Sequence, residues 1–130
     1  MQRVPKTATQ MVAEAKQRIE NLTPEQVAAE LERGSVLLVD LREANERIER
    51  GVIPGAVHAP RGMLEFYADP ANDDYRPEFD PNGRTILYCA GGARSALAVE
   101  TLQQLGYTHV AHLEGGFTAW TRAGREVRPA

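Results

Sequence analysis

Apolar residues recur along the chain in two alternating rhythms, short unbroken runs and four-residue spacings, which predict strands and helices taken in turn. Met11, Ala15 and Ile19 stand four apart behind Thr7-Ala8-Thr9-Gln10, a capping box with Thr7 as N-cap. A helix with one apolar stripe is predicted there, laid on the domain's own sheet. A second box, Thr23-Pro24-Glu25-Gln26, opens a helix with Pro24 in its first turn, Val27 and Leu31 on its buried side and Gly34 as its stop. Val36-Leu37-Leu38-Val39 leaves no polar face and reads as a strand covered on both sides, ending at Asp40-Leu41-Arg42. The charged run from Glu43 to Arg50 predicts a short surface helix. Pro54-Gly55 marks a turn before a short strand, Ala56-Val57-His58. A further strand is predicted at Thr85-Ile86-Leu87-Tyr88, then a helix faced by Val99, Leu102 and Leu105 and stopped by Gly106, then a last short strand over His109 to Leu113. Alternation of this kind predicts an α/β fold, a doubly wound sheet of about five mostly parallel strands with helices on both faces.

Residues 61 to 84 break the rhythm at Asp69-Pro70, Asn72-Asp73-Asp74, Arg76-Pro77, Asp80-Pro81 and Asn82-Gly83, and only Met63 to Tyr67 reads as helical. A connection this long in a compact domain often forms a lid or wall. Its aromatics Phe66, Tyr67, Tyr75 and Phe79, with the charge of Arg61, are candidates for bordering a pocket, against ordinary packing at the sheet edge.

At 130 residues the chain is long enough for one domain with a sizeable core. A net charge of -3 gives no general basis for binding nucleic acid, and no apolar run is long enough to span a membrane. Met1-Gln2-Arg3-Val4-Pro5-Lys6 lacks the apolar core of a signal peptide, so a cytoplasmic protein is expected. A single cysteine excludes an internal disulfide. No Cys/His cluster of ligand spacing implies a metal site, and no cofactor is expected.

That cysteine carries the candidate chemistry. Cys89-Ala90-Gly91-Gly92-Ala93-Arg94-Ser95 joins the apolar run at Thr85 to a helical pattern starting near Ser95. A strand that turns through glycines into a helix aims backbone N–H groups and the positive end of the helix dipole into one pocket. Such a pocket holds anions and favours thiolate, the nucleophilic form of cysteine. Asp40, at the end of a neighbouring strand, would lie at the same sheet edge. There it would accept from loop N–H groups, pair with Arg94, or cap the helix near Glu43. His58 reads as a hydrogen-bonded residue ending an edge strand, with a proton carrier as the alternative. His109 and His112 fall on opposite faces of a strand, which argues against a shared metal. Trp120 reads as a core anchor of the final helix.

Three stretches resemble the signatures of rhodanese-like sulfurtransferases, in the family's order across roughly residues 20 to 128. They are Asp40-Leu41-Arg42 with Gly51-Val52-Ile53-Pro54-Gly55-Ala56 and Pro60, the Cys-x-x-Gly-x-Arg-Ser of residues 89 to 95, and Leu113-Glu114-Gly115-Gly116 with Ala119-Trp120. The resemblance implies a rhodanese-like fold over residues 20 to 130, preceded by a helical extension over residues 1 to 19. It implies that Cys89 carries a sulfane sulfur as a persulfide and that Ala90, Gly91, Gly92, Ala93, Arg94 and Ser95 bind substrate. Asp40 and Arg42 would support the loop. The implied partners are a small sulfur donor, thiosulfate or mercaptopyruvate, and an acceptor that is cyanide, a thiol or a sulfur-carrier protein. Arg94 would offset donor charge directly or brace the loop through Asp40. Two other readings stand beside this one. A phosphatase or arsenate reductase also places a thiolate in an arginine-closed loop, but with one residue more than the four here, Ala90 to Ala93. A non-catalytic rhodanese-like interaction module is the other, though such modules commonly lack the cysteine.

Overall fold

The computed structural model describes residues 4–130, so Met1 to Arg3 of the opening stretch lie outside the described residues. Five strands form one all-parallel sheet: β1 (Glu20–Leu22), β2 (Val36–Asp40), β3 (Val57–His58), β4 (Arg84–Tyr88) and β5 (Val110–Leu113), in the spatial order β1-β5-β4-β2-β3. The order reverses direction between β2 and β4. At such a switch point the loops leaving adjacent strands part, opening a crevice at the carboxyl edge. Asp40 and Tyr88 end those two strands in register, and Cys89 follows Tyr88.

Both faces of the sheet are covered, as the unbroken apolar runs require. Leu38, Ile86, Tyr88 and Ala111 face α2 (Pro24–Arg33) and α6 (Gly116–Arg122), where Val27, Phe117 and Trp120 meet them. Val39, Leu87 and Cys89 face the other way, toward α4 (Leu64–Ala68) and α5 (Ala93–Gln104). A charged helix, α3 (Ala44–Arg50), buries no residue and follows β2. Trp120 is buried and donates through Nε1 to the Glu126 carbonyl. His58 ends the edge strand β3 and meets the Arg42 carbonyl at 2.7 Å.

Both threonine capping boxes form, and Gly34 ends α2 at φ +75°. Helix α1 (Ala8–Arg18) nevertheless packs on α5 and not on the sheet. Its only buried residue is Ala15, and Met11 is left largely exposed, because α5 already covers that face of the sheet. Strand β1 was not legible in the pattern. Three residues, two of them exposed, carry no periodicity, and their strand character comes from pairing with β5.

Residues 61–84 form packing and not a lid. After a 3-10 turn at Arg61–Met63 and α4, Phe79 enters the core, and the Tyr107 hydroxyl donates to the Ala68 carbonyl at 2.7 Å. Tyr75 donates to the Phe79 carbonyl, closing the segment on itself.

Candidate functional site

Cys89 is 1% exposed and sits between the end of β4 and the start of α5. Gly92 is the N-cap of α5 in the left-handed region, φ +99°, and this turn folds the chain back over the sulfur. The N–H groups of Gly92 and Ser95 reach Sγ at 3.1 and 3.4 Å. Those of Ala90, Gly91, Ala93 and Arg94 make no hydrogen bond to it. Two donors at the amino end of a 12-residue helix suit negative charge on Sγ or on an atom bonded to it.

The closing glycine motif fastens this loop from behind. Phe117 N–H donates to the Cys89 carbonyl at 2.8 Å and Thr118 N–H to the Ala90 carbonyl at 3.0 Å, so the free amides at the start of α6 clamp the loop. The approach needs glycine at 116. A Cβ there would lie 2.5 Å from the Cys89 oxygen and 2.7 Å from that of Ala90, at φ +60°.

Asp40 and Arg42 support the loop through a buried cluster. The Arg42 Nε and Nη2 reach the two Asp40 carboxylate oxygens at 3.0 and 2.8 Å, and Nη2 also donates to the Gly51 carbonyl at 2.8 Å. The guanidinium lies 4.2 Å from the centre of the Phe117 ring and 5.4 Å from that of Tyr88. Tyr88 Oη and Arg47 Nε complete the shell of Asp40 at 2.9 and 3.1 Å. Burial pushes the Asp40 carboxyl up, but the hydrogen bonds and charge of Arg42 outweigh it and hold it below the usual range.

The pairing of Asp40 with Arg94, one of the roles open to Asp40 from sequence, does not form. Asp40 is saturated by its own side of the sheet, and Arg94 turns outward onto Glu46 of α3. Both guanidinium nitrogens Nη1 and Nη2 meet that carboxylate at 2.9 Å. Glu46 is held down to about 2, chiefly by this contact, so the pair persists until strongly acid pH. Nor does Asp40 cap α3, where Glu43 is N-cap and shares a capping box with Glu46.

An open cleft of about 520 Å³ reaches the loop at Ala90. Its walls are Arg42, Glu46, Glu49 and Arg50 on one side and Phe117, Thr118 and Thr121 on the other. Arg61, Phe66 and Tyr67 do not wall it, because their segment packs against α5. Arg61 holds Glu65 and Thr101, Phe66 is 45% exposed, and Arg76 covers the Tyr67 ring at 3.7 Å. Among the described residues no cluster of three or more His, Cys, Asp or Glu is placed to hold a metal, and no helix is long and apolar enough to cross a membrane.

Behind the sulfur lies a polar chain. Ser95 Oγ is 3.5 Å from Sγ and 2.8 Å from His112 Nδ1, and His112 Nε2 is 2.7 Å from Asn21 Oδ1. Sequence reasoning missed both Glu46 and His112 as neighbours of the loop. Glu46 sits in a charged surface run like any other. The signal for His112 was a lone polar residue in an otherwise apolar β5, flanked by Ala111 and Leu113.

A sequence model of the Rhodanese-like domain family matches residues 23–123. A sulfurtransferase of Allochromatium vinosum is 37% identical over 92 residues, 71% of this chain and 78% of that one. A structure from Rhodopseudomonas palustris, a protein of unknown function described as a possible tyrosine phosphatase, superposes with TM-score 0.90 at 40% identity over 98% of each chain. A thiosulfate sulfurtransferase of Pseudomonas aeruginosa superposes with TM-score 0.74 at 30% identity, over 94% of this chain and 22% of that one.

Proposed function

The chain belongs to the rhodanese-like family, and from that premise we propose that it moves sulfane sulfur from thiosulfate to a thiophilic acceptor through a Cys89 persulfide. The observation that carries this reading is the convergence of the Gly92 and Ser95 N–H groups on one sulfur at the amino end of α5. Cys89 thiolate attacks the outer sulfur of the donor, the donor's S–S bond breaks, and its electron pair leaves with sulfite. The terminal sulfur keeps the negative charge and the two amides stabilise it. A cyanide, thiol or protein acceptor then attacks that sulfur and restores the thiolate, which makes the kinetics ping-pong.

Thiosulfate should add the mass of one sulfur atom to the protein, and cyanide should remove it, both read by intact mass spectrometry. An unchanged mass with thiosulfate and mercaptopyruvate alike would overturn the reading. The description of the Rhodopseudomonas protein favours a phosphatase as the second reading. Against it, the cysteine-to-arginine spacing is one residue short. Hydrolysis of p-nitrophenyl phosphate that depends on Cys89 would promote it.

In this mechanism a dianionic donor competes with Glu46 for Arg94. Glu46→Gln should therefore lower the KM for thiosulfate by about fivefold, the scale of one partly exposed charge pair, with cyanide attack on the preformed persulfide unchanged. Arg94→Lys keeps the charge but loses the planar fork, and the donor step should slow alone. Stopped-flow measurement of the two half-reactions checks both variants. Equal slowing of both steps in Arg94→Lys would give Arg94 a bracing role.

A further inference from the structure

His112 is a buried titratable side chain, 0% exposed, that the sulfur chemistry above leaves unused. The parallel register of β1 and β5 sets Asn21 beside it. The Asn21 amide nitrogen is committed to the carbonyls of Lys16 at 2.9 Å and Ile19 at 3.2 Å, so its Oδ1 is the atom facing His112 Nε2. An amide oxygen only accepts, so the proton of the neutral ring sits on Nε2 and Nδ1 is bare. The Ser95 hydroxyl then donates to Nδ1 and turns a lone pair toward Cys89 Sγ. The hydrogen bonds therefore run one way, from the thiol through Ser95 to the imidazole.

We propose that His112 is the proton acceptor for Cys89, acting through Ser95. The thiol proton passes to Ser95 Oγ as the Ser95 proton passes to His112 Nδ1, which leaves a thiolate and an imidazolium and changes no oxidation state. His112 does not touch the sulfur and is a positioning residue. Glu114 Oε1 lies 3.4 Å from Nε2 and shares the imidazolium charge. The groups facing the ring are thus Ser95 from α5, Asn21 from β1 and Glu114 after β5, with Lys16 of α1 paired to Glu114 at 2.8 Å. Burial lowers the His112 pKa to about 4 against the pull of Glu114, so the resting ring is neutral; as a weak base it holds the proton only while the Cys89 thiolate and the Glu114 carboxylate balance its charge.

The inference rests on Cys89 being the reacting thiol, as proposed above, yet it is tested without a sulfur donor, so the two fail separately. The chain has one cysteine, so the ultraviolet thiolate absorbance against pH, with Cys89→Ser as blank, follows that sulfur alone. His112→Asn and Ser95→Ala should each raise the midpoint by about one pH unit, a tenfold smaller thiolate fraction at pH values below it. Ser95→Ala keeps the backbone N–H on Sγ and removes only the hydroxyl. The double variant should shift no further than the larger single one. Glu114→Gln, on a side chain that is 46% exposed, should raise the midpoint by a smaller amount and keeps the test decisive if His112→Asn does not fold. An unmoved midpoint in Ser95→Ala and Glu114→Gln, or additive shifts in the double variant, would overturn the proposal.

Discussion

Cys89→Ser should abolish sulfur transfer while leaving the protein folded. Serine fits the same space, and its oxygen can still accept from the Gly92 and Ser95 N–H groups, so the loss of stability should stay near 1 kcal/mol or below. Transfer is another matter, since a hydroxyl does not attack sulfane sulfur and the chain has no other thiol to take its place. Turnover measured as sulfite release from thiosulfate should fall by about 10⁴-fold or more, the scale of losing a nucleophile. The variant should also show no added sulfur by mass. Residual turnover within tenfold of the parent would remove Cys89 from the carrier role, because the other loop residues offer no sulfur nucleophile.

The largest effect on folding should come from Asp40→Asn. Asp40 is 0% and Arg42 1% exposed, and removing one charge of such a pair leaves the other buried without a counter-ion. Arg42 cannot respond by giving up its proton, since a guanidinium stays charged across the accessible pH range even when buried. The loss should be about 3–5 kcal/mol, read as a lower midpoint in urea unfolding at unchanged slope. A loss below about 1 kcal/mol would mean that the Gly51 carbonyl and the Phe117 ring suffice to hold the guanidinium. The sign with pH follows from the depressed carboxyl. Its contribution is complete above the ordinary carboxylate value, about 3.9, and is lost as pH falls through the lower folded value. Acid unfolding of the parent should therefore steepen in that range, and Asp40→Asn should flatten it. Because Phe117 both stacks on Arg42 and clamps the Cys89 carbonyl, the same substitution should slow both half-reactions.

Local signals sufficed wherever one residue type answers one backbone need. Thr7 and Thr23 cap helices because their hydroxyls reach the third N–H, and Gly34 and Gly106 stop helices because they adopt positive φ. The apolar run of β2 and the Cys-x-x-Gly loop after β4 were readable in the same way, since strand burial and glycine turns are local in cause. Residue order alone thus carried the α/β alternation, the covered parallel sheet and the position of the thiol. Partnerships between distant side chains were decided only by the tertiary structure. Asp40 and Arg94 looked complementary because both belong to the sheet's carboxyl edge, yet Arg42 and Arg47 reach Asp40 first and Glu46 takes Arg94. His112 gave no periodic signal, since a strand's pattern tells which face a residue occupies and not what waits there. Asn21 meets it only because β1, a strand with no pattern of its own, is held in place by β5. Hydrogen bonds and ion pairs are short-ranged, so their partners are chosen by the packing that brings atoms within about 3 Å, a choice that residue order does not encode locally.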